Sequence, residues 1–140
     1  MKKIYSKIKK KKLLHILFRP SKKNQRINIS PDSEFLQLCY LNLDTNKKFL
    51  PHKHFWKKNI EKKRIVQESW VVISGLAKIT LYDLNDKYMT FRILKPGDVS
   101  ITFEGGHKLE ILKKNTIIYE FKTGPYEGQK NDLKYLNKCD

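Results

Sequence analysis

From Phe35 onward the apolar residues recur at every second position, and turn-forming clusters cut the pattern roughly every eight to twelve residues. Phe35-Leu36-Gln37-Leu38-Cys39-Tyr40-Leu41-Asn42-Leu43 opens the series. Further strands are expected near 65–74, 76–83, 87–95, 99–103, 107–112 and 116–122, all rich in Ile, Val, Tyr, Phe and Thr. The breaks are Ser74-Gly75, Asp83-Leu84-Asn85-Asp86, Lys95-Pro96-Gly97-Asp98, Glu104-Gly105-Gly106 and Lys113-Lys114-Asn115, each built from residues that reverse the chain easily. Many short strands with such punctuation require an all-β sandwich or barrel. No helical stretch of ten residues separates the strands, which excludes a parallel βαβ sheet, and the chain has no internal repeat.

The 140 residues suit one domain. Cys39 and Cys139 are far apart and form no CxxC pair, which argues against a disulfide framework and for the cytoplasm. The net charge of +16 is unevenly placed. Eleven basic residues, from Lys2 to Arg26, precede the first acid, Asp32, and the rest of the chain carries nineteen bases against fourteen acids. The surplus therefore marks residues 1–26 as a basic arm, with the domain proper at 27–140. Ile4 and Ile8 share a helical face, as do Leu14, Leu17 and Phe18, so a basic helix ending at Pro20 is expected. Residues 19–34 read as a polar linker. The six-residue run Leu13–Phe18 is too short for a signal peptide or a membrane span. On a helix, its apolar side chains and the flanking lysines fit peripheral contact with the anionic inner face of a membrane. The alternatives are a solubilising tail, or a helix packed on the barrel. The arm lacks the aromatic-and-basic interleaving of a base-stacking surface, which argues against nucleic acid.

Three of the four histidines fall in or beside the strands. His52 and His54 share one face of an extended segment, because side chains at i and i+2 point the same way. Parity puts Glu68 with Trp70, Val72 and Ser74, and His107 with Leu109 and Ile111. The candidate ligands thus lie on the apolar faces of their own strands and point inward. An inward His or Glu needs a partner, either a metal or a mutual hydrogen bond. Three imidazoles and one carboxylate suit a divalent transition metal such as Zn, Fe, Mn or Ni.

His52-Lys53-His54, then Glu68 with Gly75 closing the stretch, then Pro96-Gly97-Asp98 followed by His107, resemble the two motifs of the cupin superfamily. Within it, Ile118–Tyr126 is similar to the closing strand and Gly-Pro-Tyr turn of the small WbuC-type metalloproteins of bacterial surface-polysaccharide gene sets. The resemblance spans about residues 33–136. It implies a cupin jelly-roll barrel, a metal held by His52, His54, Glu68 and His107, and a nucleotide- or lipid-linked sugar as the ligand of an isomerase or epimerase. The alternative is a cupin that binds a sugar or metabolite without turnover. Two departures stand out. Thirteen residues separate His54 from Glu68, a longer interval than the motif has, and Ile111 stands where the second motif often ends in Asn.

Further candidates follow from parity. Trp70 shares Glu68's face and is placed either to stack on a sugar ring or to fill the core. Glu120 and Lys122 share a face of the last strand; if it is inward they are candidate acid–base groups, and if Ile117, Tyr119 and Phe121 face inward the pair is solvated. Tyr126 follows the Gly-Pro turn and either lines the mouth or lies on the surface. Val71, Ile73 and one face of the 35–43 strand are apolar and point away from the ligand face, so a homodimer is the expected cover.

Overall fold

The computed structural model describes residues 1–20, 25–42, 48, 50–51, 65–124 and 133–136. Ten strands are formed: β1 (Lys2–Tyr5), β2 (Leu13–Phe18), β3 (Gln25–Asn28), β4 (Cys39–Asn42), β5 (Glu68–Ser74), β6 (Ala77–Tyr82), β7 (Tyr88–Leu94), β8 (Val99–Thr102), β9 (His107–Ile111) and β10 (Ile117–Lys122). They make a five-stranded sheet in the order β1-β2-β8-β5-β10, a three-stranded sheet β7-β6-β9 and the pair β3-β4. Every pairing is antiparallel. The architecture is all-β, as the period of two requires, and no helix occurs among the described residues.

The five-stranded sheet is covered on both faces. On one, Ile4, Leu17 and Val72 meet Ala77, Ile79, Leu81 and Leu94 of the three-stranded sheet, with Trp70, Leu109 and Ile118 packed against them. On the other, Ile16, Phe18, Val99, Ile101 and Phe103 meet Ile29, with Leu36, Leu38, Tyr40 and Val71 alongside. Ile16, Ile79 and Ile101 are wholly buried; each such side chain contributes about 1.5–3 kcal/mol relative to exposure. Leu36, Leu38 and Tyr40 therefore pack, like Val71, on this second core within the chain itself.

The expected basic helix at the N-terminus is not formed. Residues 2–18 make the β1–β2 hairpin instead, and β2 sits inside the sheet between β1 and β8. The physical reason is that β2 is buried on both faces, so its sequence Leu-Leu-His-Ile-Leu-Phe carries no period of two. A short apolar run of this kind cannot be told from a buried helix by periodicity. Ile4 and Ile8, which would share a helical face, part company: Ile4 is 8% exposed and Ile8 54%. The stretch read as a linker contains β3, and the division drawn after residue 26 falls inside that strand.

Arg19 closes β2 by donating from Nε to Asp98 Oδ1 at 2.7 Å and from Nη2 to Oδ2. The same carboxylate accepts from the Lys95 amide at 2.9 Å, so the Pro96-Gly97-Asp98 turn is fastened at its aspartate. At Gly75 the backbone is left-handed (φ +86°), and a Cβ there would stand 2.6 Å from Thr116 Cα. Only glycine fits that turn.

Candidate functional site

Cross-strand register aligns one row of side chains on the inner face of the five-stranded sheet. Ile4 pairs with His15, His15 with Thr102, Thr102 with Glu68, and Glu68 with Lys122. The next inner row is Leu17, Ser100, Trp70 and Glu120. Directly paired residues present the same face, so Glu68, Trp70, Glu120 and Lys122 all stand on the side that packs against the three-stranded sheet. Of the two parities open for β10, the structure takes the one that aligns Glu120 and Lys122 with Glu68, while Tyr119 and Phe121, paired with Val71 and Ser69, are half-exposed on the opposite face; a register shift after Ile117 takes that residue out of the alternation.

His107 begins β9 and pairs with Leu81 of β6, a buried core residue, which turns its imidazole inward. Its Nε2 stands 3.5 Å from Glu68 Oε1. Glu68 and His107, thirty-nine positions apart in sequence and on different sheets, therefore meet between the sheets. The Trp70 ring stands edge-on to the His107 ring, with centroids 4.6 Å apart. Trp70 Nε1 donates to Glu120 Oε2 at 3.1 Å, tying the carboxylate to the same group. His107 Nδ1 is buried and has no hydrogen-bond partner among the described residues, and Ser100 Oγ is in the same condition. Unsatisfied buried groups of this kind are costly unless something supplies the missing bond.

His15 is a site residue that the sequence reading passed over. It is fully buried. Its Nε2 lies 3.2 Å from the Tyr82 carbonyl oxygen and its Nδ1 3.1 Å from Thr102 Oγ1. A carbonyl can only accept, so Nε2 carries the proton and Nδ1 accepts from the threonine hydroxyl. Burial pushes the His15 pKa down to about 4, with the neighbouring His107 adding to the fall and the Tyr82 carbonyl opposing it. Both ring nitrogens are thus engaged, and His15 supports the row rather than offering a lone pair. The available signal was a lone histidine inside an otherwise apolar strand. The close approach is built around Gly105, where φ is +91° and a Cβ would come within 2.8 Å of the Tyr82 oxygen.

His52, His54 and Tyr126 lie outside the described residues. Of the expected metal ligands, Glu68 and His107 are described, and no group of three His, Cys, Asp or Glu side chains placed to hold a metal occurs among the described residues. The pair does fit such an ion chemically. Two donors each about 2.1 Å from one small cation stand roughly 3.0–3.4 Å apart, close to the 3.5 Å between Glu68 Oε1 and His107 Nε2.

A roomy cavity of about 580 Å³ lies elsewhere, lined by Lys12, Phe35, Ile65, Gln67 and Phe103 among others. Phe103 belongs to the core on the far side of the five-stranded sheet, so this space is separated from Glu68 and His107 by the sheet itself. No helix of the described residues is long and apolar enough to cross a membrane. Comparison of the chain with protein-family models, with curated proteins and with solved structures returned no match.

Proposed function

We propose that the chain is a metal-binding cupin, a jelly-roll barrel that holds a divalent transition metal through His52, His54, Glu68 and His107 and takes a nucleotide- or lipid-linked sugar of surface-polysaccharide synthesis as its ligand. The observation that carries the reading is the meeting of Glu68 and His107 across two sheets, 3.5 Å apart. Beside them the Trp70 ring offers an apolar face for a sugar, and Ser100 Oγ is a buried polar atom without a partner among the described residues. When bound, the ion supplies polarisation of a sugar carbonyl or hydroxyl. In an isomerase or epimerase, Lys122 and Glu120 would be the groups that take a proton from the carbon beside that carbonyl and return it.

One observation favours the alternative of a sugar-binding cupin without turnover. Glu120 is exposed, and its carboxylate accepts from the Trp70 indole, an arrangement that orients Trp70 as well as it would serve proton transfer. The experiment is elemental analysis of protein purified without added metal, followed by incubation with nucleotide-linked and lipid-linked sugars. Stoichiometric metal is expected. Protein that is metal-free and takes up no Zn, Mn, Fe or Ni at saturating concentration overturns the site, and bound but unaltered sugar selects the binding reading.

A further inference from the structure

The lysine-rich beginning of the chain is a rigid hairpin tip. Between β1 and β2 the residues Lys7, Ile8, Lys9, Lys10 and Lys11 are all exposed. They do not trail. Ser6 is buried beneath them; its hydroxyl donates to Asp83 Oδ1 at 2.6 Å and accepts from the amides of Ile8 and Lys9 at 3.1 and 2.9 Å. The Lys7 amide donates to Asp83 Oδ2 at 2.7 Å. Ser6 N reaches Lys12 O at 2.9 Å and Lys12 N reaches Lys9 O at 3.0 Å, and Lys11 takes a left-handed conformation, φ +68°.

Charge at the tip is left unbalanced. Lys12 is neutralised by Glu104, whereas Lys7, Lys9, Lys10 and Lys11 make no ion pair among the described residues. The buried carboxylate of Asp83 beneath the tip bonds Ser6 and the backbone amides of Lys7 and Leu84 and no lysine side chain, so its single negative charge leaves the four lysines with a net positive surplus. In the middle of these lysines the Ile8 side chain is held out, 54% exposed. A single exposed apolar residue means little. Held on a hydrogen-bonded loop among four unpaired cations, it matches a surface with anionic headgroups outside and hydrocarbon beneath.

We propose that this tip is a preformed docking surface for an anionic lipid bilayer. A nucleic-acid backbone would satisfy the lysines but offers Ile8 nothing to enter, and a free phosphate would likewise leave it in water. The placement has a consequence for the candidate site. The tip joins the end of β1 to the start of β2, the end of the sheet where β8 finishes at Thr102, β5 begins at Glu68 and β10 finishes at Lys122. Docking therefore brings that end of the sandwich to the headgroups, and, if the reading under Proposed function holds, favours a lipid-linked over a freely diffusing sugar.

The test is co-sedimentation of the full chain with vesicles of phosphatidylcholine alone and of phosphatidylcholine mixed with phosphatidylserine. A protein of net charge +16 adheres to anionic surfaces generally, so the decisive comparison is between two variants of equal charge. Lys9→Glu/Lys10→Glu alters the tip, and Lys113→Glu/Lys114→Glu alters the turn before β10, at the opposite end of the sheet. Wild type and the latter are expected to pellet with the mixed vesicles, and the tip variant to lose affinity about tenfold or more. Ile8→Ser, which leaves the charge unchanged, is expected to lose about threefold or more, and serves alone if the double variant fails to fold. Equal loss in both charge variants, no effect of Ile8→Ser, or tighter tip-dependent binding to duplex DNA than to vesicles overturns the proposal. Because none of these readouts uses metal or sugar, failure here leaves the reading of the Glu68–His107 site standing, and the converse also holds.

Discussion

His15 Nε2 donates to the carbonyl oxygen of Tyr82 at 3.2 Å, so a ring from the first hairpin bonds to the strand that carries His107's partner. The companion bond, in which Nδ1 accepts from the Thr102 hydroxyl at 3.1 Å, requires the neutral ring that burial enforces. Burial lowers the His15 pKa from 6.5 to about 4, so between those values the unfolded chain takes up a proton that the folded one refuses. Stability is then fully present above pH 6.5, falls as the pH drops through the window, and levels off below about 4, for a total of about 3 kcal/mol.

Urea unfolding at pH 7 and pH 5 reads this directly. Stability at pH 5 is expected to be lower by about 2 kcal/mol, with the difference much reduced in His15→Gln. An unchanged midpoint in wild type would contradict it. Asp83 adds a second, more acidic phase. Burial would raise its pKa, but hydrogen bonds from Ser6, Leu84, Lys7 and Ile8 outweigh that and hold it below the usual carboxylate value. Its contribution is lost only as the pH falls beneath that range.

Removing a residue of the proposed metal site should be visible in metal content. His107→Ala is expected to lower metal affinity by about a hundredfold or more, since a water replaces an imidazole poorly. His52→Ala and His54→Ala should behave alike, and Glu68→Ala should lose less. Isothermal titration with Zn measures each. Wild-type affinity in His107→Ala would remove that residue from the ligand set.

Gly75→Ala should cost about 2 kcal/mol or more, because the residue must hold φ +86° while its new methyl meets Thr116. Gly105→Ala should cost a similar amount by pushing on the Tyr82 carbonyl and the His15 ring. Chemical denaturation of the two variants checks both figures; a loss under about 0.5 kcal/mol would mean the turns relax freely.

On the outer side of β5 and β10, Ile73, Tyr119 and Phe121 are between 43% and 57% exposed, and β10 is the edge of the described sheet. An apolar strip on an edge strand invites a second copy. Light scattering should give about twice the chain mass of 16.7 kDa, and Phe121→Lys should shift it toward one copy. A mass of one chain for wild type at micromolar concentration would exclude the dimer.

The strands from β4 to β10 are legible in the sequence because apolar and polar residues alternate along most of them, even in β8, where the polar positions Ser100 and Thr102 are themselves buried. β4 is shorter than expected, beginning at Cys39 rather than Phe35. β2 is illegible for the opposite reason: apolar neighbours on both sides erase the alternation. The site divides along the same line. Glu68 and His107 stand out because each is polar on an apolar stripe, and parity alone turns them inward. His15 sits in a strand whose parity could not be read, so the partner that shares its row with Glu68 stayed hidden.

The place of β2 between β1 and β8 also limits how the chain can be trimmed. A shortened protein beginning at Ile27, attractive because it discards eleven positive charges, would strip β8 of its partner from Val99 to Thr102. The bared row of amides and carbonyls would be flanked by Ile101 and Phe103, sticky side chains that β2 now shields. Such a product should precipitate or pair with its own kind, and its failure to bind a membrane, a metal or a sugar would say nothing about the lysines that were removed.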